Sequence, residues 1–322
     1  MMEKLSDLLT NEVHTAAIAG HVRPDGDCIG TNTALYLYIK KNYPLIDVKL
    51  YLEEPKAALL FLKGCDKMIS ETPADESVDL FISCDASEKE RIAVAGNLLP
   101  LAKKSVCIDH HISNTGFADV NIIVPEASSS AEVLYGLLED EKIDKDCAEA
   151  LYTGIIHDTG VFQYKNTSPY TMTVAAALMK KGIDFCSIID NSFNIRTHRE
   201  NQILGRTLLE SVLMLDGRVI VGTVTHRDMA FYDVTQKDLD GIVAQLRLTK
   251  GVEVAVFIYE CEPQVYKVSL RSNSDIDVSE IAAAFEGGGH IRAAGCTMYG
   301  TDHDVINNLM GVIQEKVSKE HD

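Results

Sequence analysis

Short apolar runs bounded by polar turns alternate with stretches of helical spacing through the first half of the chain. Val13 to Gly20, Asp47 to Leu52, Val78 to Ser83, Ser105 to Ile108 and Asp119 to Val124 are each too short for a stable helix and read as strands. Between them, Ile29 to Lys41 has helical spacing, and Ser128 to Glu139 opens with serines suited to capping before an apolar periodic stretch. Strands alternating with helices predict βαβ units, hence an α/β domain with a mostly parallel sheet flanked by helices. Asp146 to Ile156, Pro169 to Lys181 and Phe185 to Asn191 continue as helices with no strand between them, which predicts cover for one edge of that sheet.

The polar segment from Asn194 to Asn201 breaks the pattern before a helix at Gln202 to Glu210. Beyond it, Val212 to Leu215, Val219 to Thr225, Val252 to Glu260 and Val265 to Ser269 alternate as strands. Val278 to Phe285 reads as a short helix, and Asp304 to Val317 as an amphipathic one. This texture predicts a smaller α+β domain with a mixed sheet. The expected division is residues 1–192, a linker and connecting helix over 193–210, and residues 211–322. A length of 322 residues suits two domains.

A net charge of −18 leaves no basic surplus for long duplex nucleic acid, whose binding requires exchange of condensed counterions. Short anionic ligands remain compatible, because a few cations focused in one cleft suffice to hold them. No apolar run is long enough to span a membrane, and Met1 to Asn11 is acidic rather than a basic signal segment, so the expected compartment is the cytoplasm. Cys28, Cys65, Cys84, Cys107, Cys147, Cys186, Cys261 and Cys296 form no CxxC pair and read as buried reduced thiols.

Against this background, Asp and His residues collect where elements end. His21, Asp25 and Asp27 lie within seven residues, and Pro24 and Gly26 impose a non-helical turn that can aim all three into one volume. Asp85 ends one apolar run, Asp109-His110-His111 follows another, and Asp158 ends a helix, where the dipole opposes a carboxylate unless a cation is near. Each has a plainer reading alone. Asp27 suits a cap for the helix near Ile29, Asp85 a cap before Glu88, and His111 a core histidine. Together, carboxylates and imidazoles at strand ends suit borderline divalent ions such as Mn²⁺, and two such ions about 3.5–4 Å apart suit hydrolysis at a phosphoryl centre.

At His21-Val-Arg-Pro-Asp25-Gly-Asp27, Asp85, Asp109-His110-His111 and Asp158 the chain resembles the DHH phosphoesterase family. Gly287-Gly288-Gly289-His290 with Arg271-Ser272 resembles its DHHA1 substrate domain. The resemblance implies that His21, Asp25 and Asp85 hold one Mn²⁺, and that Asp27, Asp85, His110 and Asp158 hold the second. Mg²⁺ or Co²⁺ are possible replacements. It also implies that Asp85 bridges the ions, that His111 approaches the scissile phosphate and that Asp109 orients His110. In the second domain, Arg271, Ser272, Gly287, Gly288, Gly289 and His290 would bind the non-scissile end of the substrate.

The substrates implied are very short RNA and 3′-phosphoadenosine 5′-phosphate. A phosphodiesterase of linear or cyclic dinucleotides such as pApA and cyclic di-AMP is the nearest alternative, and an inactive nucleotide-binding regulator is a more distant one. A hinge at Asn194 to Asn201 and a homodimer are both compatible with this reading. Arg196, His198, Arg199 and the Asp233, Asp238 and Asp240 group read as solvated charges, while Tyr164, Asn166 and Thr167 are placed to shape a pocket floor.

Overall fold

A computed structural model describes residues 4–92 and 94–319; residues 1–3 of the acidic N-terminal segment and 320–322 of the second domain lie outside them. The chain divides into two compact units, Met1–Ile195 and Arg196–Asp322. No helix among the described residues is long and apolar enough to cross a membrane.

In the first unit β1 (Thr15–Ala19), β2 (Asp47–Tyr51), β3 (Met68–Ile69), β4 (Leu80–Cys84), β5 (Lys104–Asp109) and β6 (Val120–Ile123) form one sheet in the order β3-β2-β1-β4-β5-β6. Every neighbouring pair is parallel. The order reverses between β1 and β4, and the crevice outside the carboxyl ends of strands at such a reversal is where open α/β sheets bind ligands.

The helices of this unit are α1 (Leu5–Leu8), α2 (Gly26–Asn42), α3 (Ser130–Leu137), α4 (Lys145–Asp158), α5 (Pro169–Met179) and α6 (Phe185–Ile189). Ile18, Leu50, Ile82, Val106 and Ile108 pack with residues of α2 and α3 on one face of the sheet. Ala17, Ala19, Tyr51 and Phe81 pack with Ile92, Val94 and Leu98 on the other. Strands buried on both faces read as continuous apolar runs, which is why these were legible.

Two details differ from expectation. The helical run from α4 to α6 layers over α2 and α3 and does not cover a sheet edge. Small residues permit this approach: a Cβ on Gly30 would stand 2.5 Å from the Ala150 carbonyl oxygen. Gly30→Ala is therefore expected to lower stability by about 1–3 kcal/mol through overpacking, read by urea denaturation. Residues 197–201, expected to be linker, instead begin a helix, because the Thr197 hydroxyl accepts from Glu200 N while the Glu200 carboxylate accepts from Thr197 N.

Asp79 ties β1 to β4. It accepts from His14 N at 2.8 Å and Thr15 N at 2.9 Å and pairs with Lys103 Nζ at 2.7 Å. The Lys103 ammonium, followed by these backbone donors, holds its carboxyl far below the usual carboxylate range. A depressed folded pKa contributes stability that is complete above the unfolded value, near pH 4, and fades as pH falls towards the folded one. Asp79→Ala should thus lower the urea midpoint at neutral pH, and the gap to wild type should narrow in acid.

The second unit holds β7 (Val212–Met214), β8 (Val219–Val224), β9 (Val254–Glu262), β10 (Val265–Ser272), β11 (Gly288–His290) and β12 (Ala293–Tyr299). Their order is β11-β12-β10-β9-β8-β7, with β8 and β9 parallel and the other neighbours antiparallel. This is the expected mixed sheet. Residues of α7 (His198–Leu209), α8 (His226–Tyr232) and α9 (Ile242–Arg247) pack on one face, and residues of α10 (Val278–Ala283) and α11 (Asp302–Lys319) on the other.

Candidate active site

The carboxyl ends of β1, β4 and β5 bring the first unit's candidate residues together. His21 follows β1 and is held by an antiparallel bridge to Ile92. Asp85 follows β4 with φ of 60°, a left-handed conformation uncommon for a residue with a Cβ, and its backbone N–H donates to the Ile108 carbonyl. Its two carboxylate oxygens face different histidines. Oδ2 lies 3.4 Å from His21 Nε2, while Oδ1 lies 3.6 Å from His111 Nδ1 and 3.9 Å from His110 Nε2. His110 Nε2 also stands 3.1 Å from Asp158 Oδ2 at the end of α4.

Asp25, not Asp27, caps α2: its Oδ1 accepts from Asp27 N and Cys28 N, both at 3.1 Å. Asp27 is fully buried and reaches α3, where Ser130 N at 2.7 Å and Ala131 N at 3.1 Å donate to its carboxylate. The amide groups at the start of that helix thus supply hydrogen bonds that partly offset the cost of burying this carboxylate. Asp109 is equally buried, and its Oδ1 accepts from His111 Nδ1 at 2.7 Å and from His110 N at 2.8 Å. This corrects the expected partner. Asp109 orients the ring of His111, whereas His110 Nδ1 lies 3.3 Å from the Ala127 carbonyl, which leaves His110 Nε2 facing the carboxylates.

The electrostatics reflect crowded negative charge. Burial, then the neighbouring Asp85 and Asp158, push Asp27 well above the usual carboxylate range. Burial, opposed by the His110 contact, pushes Asp158 up to about 6. Burial works against the charged form of His110, yet Asp158, Asp27 and Asp85 raise it to about 10. For His111 the Asp109 bond outweighs burial and raises the imidazole above its ordinary value. Buried carboxylates that repel one another, interleaved with imidazoles, suit divalent cations. Among the described residues, three sets of ligand atoms lie close enough to share an ion: His21, Cys28 and Asp85; Asp85, His110 and His111; and Asp27, His110 and Asp158.

In the second unit the glycine triplet is not a loop. Gly288 to His290 form the edge strand β11, paired only with β12. The absence of side chains has a packing cause, since a Cβ on Gly287 would lie 2.4 Å from the Gly295 carbonyl oxygen and one on Gly289 would lie 2.5 Å from Ala293 O. His290 is exposed on this edge, and Arg271, next to last in β10, has Nη1 donating to the Leu270 carbonyl. Ser272 departs from expectation: it is buried, and its hydroxyl donates to Ser274 O at 3.0 Å, so it shapes a turn and presents no free donor.

The family model for the DHH family N-terminal domain matches residues 15–155, and that for the DHHA1 domain matches 216–319. Together they match more than half of the chain. The chain belongs to the DHH phosphoesterase family. Its relatives include a bifunctional oligoribonuclease and PAP phosphatase NrnA of Thermus thermophilus, 28% identical over 94% of this chain and 90% of the relative. A protein of the same name in Bacillus subtilis is 26% identical over 96% of each. The solved structure of an exopolyphosphatase-related protein from Bacteroides fragilis superposes with a TM-score of 0.85, at 24% identity and over 94% and 93% of the two chains, and shares the fold. This DHH protein is thus an enzyme of the phosphoesterase class.

Three contributors to the DHH site escaped the sequence reading. The Ser130 hydroxyl donates to Asp85 Oδ1 at 2.9 Å, and Asn114 Nδ2 donates to Asp109 Oδ2 at 2.6 Å. Ser130 sat in a run read only as capping, a role that Ser129 fills by accepting from Glu132 N. Asn114 had no signal, and Cys28 was read as an inert thiol. Asn166 supports the site from outside, with Nδ2 donating to the carbonyls of Ser128 and Asp158. Arg199 pairs with Asp233 on the surface, and Arg196 donates to the Asp240 carbonyl. All eight cysteines are free; Cys186 is exposed and Cys261 half-buried, unlike the buried thiols expected.

Proposed function

We propose that this protein is a metal-dependent hydrolase of very short oligoribonucleotides and of 3′-phosphoadenosine 5′-phosphate. The observation that carries the reading is Asp85, whose two oxygens face His21 on one side and the two neighbouring histidines on the other. A carboxylate so placed suits a bridge between two divalent ions, with Mn²⁺ favoured by the mixed Asp and His donors. His21, Asp25 and Asp85 would hold one ion, and Asp27, Asp85, His110 and Asp158 the other. When bound, such ions supply charge neutralisation and activation of water for attack on phosphorus.

The chain's own residues supply the remainder. Asp109 fixes His111 through Nδ1, so Nε2 is free to donate to a phosphate oxygen, and half-exposed His111 is accessible to substrate. In the second unit, Arg271, His290 and the edge strand at Gly288 and Gly289 offer donors suited to an anionic group. The net charge of −18 and the names of the relatives both support a short substrate over a long duplex.

The test is a substrate panel with Mn²⁺: pApA, a five-nucleotide RNA, a 24-nucleotide RNA, 3′-phosphoadenosine 5′-phosphate, cyclic di-AMP and pyrophosphate. Turnover concentrated in the first two and the bisphosphate is expected. Preference for cyclic di-AMP would move the enzyme to dinucleotide signalling, and for pyrophosphate to a different phosphoesterase activity.

A further inference from the structure

Cys28 lies beside His21 and Asp85 at one end of the carboxylate cluster. It is fully buried in the first turn of α2, three residues after the capping Asp25. Its Sγ, a His21 ring nitrogen and an Asp85 carboxylate oxygen all lie within 4.8 Å of one another. The space it fills is left open by Gly20 at the end of β1, where a Cβ would come within 2.3 Å of Sγ. Asn32 Nδ2, which donates to the Cys28 carbonyl at 2.7 Å and the Cys84 carbonyl at 3.2 Å, stands 3.6 Å from the sulfur. The thiol is therefore positioned by its neighbours and is not a loose filler.

Asp25 borders the same end of the site. Its Oδ1 accepts two backbone N–H groups, its side chain is 60% exposed, and it stands 3.8 Å from His21. Beside Asp25, the side chains of His21, Cys28 and Asp85 form a compact set with one nitrogen, one sulfur and one oxygen donor.

We propose that Cys28 is a sulfur ligand at the His21 side of the centre, so that this position takes thiophilic divalent ions such as Zn²⁺, Co²⁺ or Cd²⁺ in preference to Mg²⁺. This rests on the reading that the cluster holds metal. Soft thiolate donors select such ions, while carboxylate and water ligands suit Mg²⁺ and Mn²⁺. The thiol proton leaves to solvent as the ion binds. The position facing Asp27, His110 and Asp158 has no sulfur among its three donors and keeps its preference for harder ions. The two positions of one centre would then differ in metal selectivity.

The experiment is Co²⁺ titration of the chelator-stripped full chain, read by absorption rather than by turnover. The expected result is a sulfur-to-cobalt charge-transfer band in the near ultraviolet beside the visible ligand-field bands. The first should be lost in Cys28→Ser while the ligand-field bands remain. Ligand-field bands without the charge-transfer band in wild type, or the same band in Cys28→Ser, would overturn the sulfur ligand and leave the metal reading intact. No bound Co²⁺ by absorption and equilibrium dialysis would overturn both. Should Cys28→Ser fail to fold, X-ray absorption of Zn²⁺-loaded wild type decides. A sulfur scatterer at about 2.3 Å supports the proposal, and nitrogen and oxygen scatterers alone refute it.

Discussion

Asp85→Asn is expected to reduce hydrolysis of a short RNA by about a thousandfold or more while leaving the fold in place. The position has φ of 60°, and asparagine tolerates that left-handed conformation as well as aspartate does, so the substitution tests charge and not backbone strain. The backbone bond from Asp85 N to Ile108 O and the Ser130 hydroxyl contact both survive an amide at this position. What is lost is the negative charge facing three histidines, and with it the strongest reason for two ions to share one volume. Initial rates and bound metal, measured on the same preparation, should fall together. Full metal content with lost rate would point to a catalytic role beyond ion binding.

His111→Ala should behave differently. The expected loss is about a hundred- to a thousandfold in kcat, the scale of removing one preorganised donor to developing phosphoryl charge. Metal content should be close to wild type, because His110 and Asp158 form their 3.1 Å contact without it. Asp109→Asn should produce a smaller loss in the same parameter, since an amide can still accept one bond but no longer stabilises a charged imidazole through the 2.7 Å contact. Should His111→Ala strip the metal as thoroughly as Asp85→Asn, His111 would be a ligand and not a substrate contact.

The first unit was legible because parallel strands buried on both faces carry unbroken apolar runs, and because the family's polar residues sit where those runs stop. Thus His21, Asp85 and Asp109 are marked in the sequence by the ends of β1, β4 and β5. What was hidden depends on pairing across distance. Asp109 serves His111 and not His110, a choice made by ring orientation that spacing cannot encode. Ser130 joins Asp85 across 45 positions. The two-residue β3 and the glycine-rich β11 carry too few side chains to show alternation, so neither was expected as a strand. Residues 197–201 looked like linker because their charges are those of a capping box read without its helix.

The most direct test of the account is to measure Mn²⁺ bound per chain and the rate of pApA hydrolysis at each step of a Mn²⁺ titration of chelator-stripped protein. The account predicts two ions per chain, no hydrolysis in their absence, and a rate that rises with occupancy and is absent from Asp85→Asn. Hydrolysis that persists in chelator, or that Asp85→Asn retains, would contradict it.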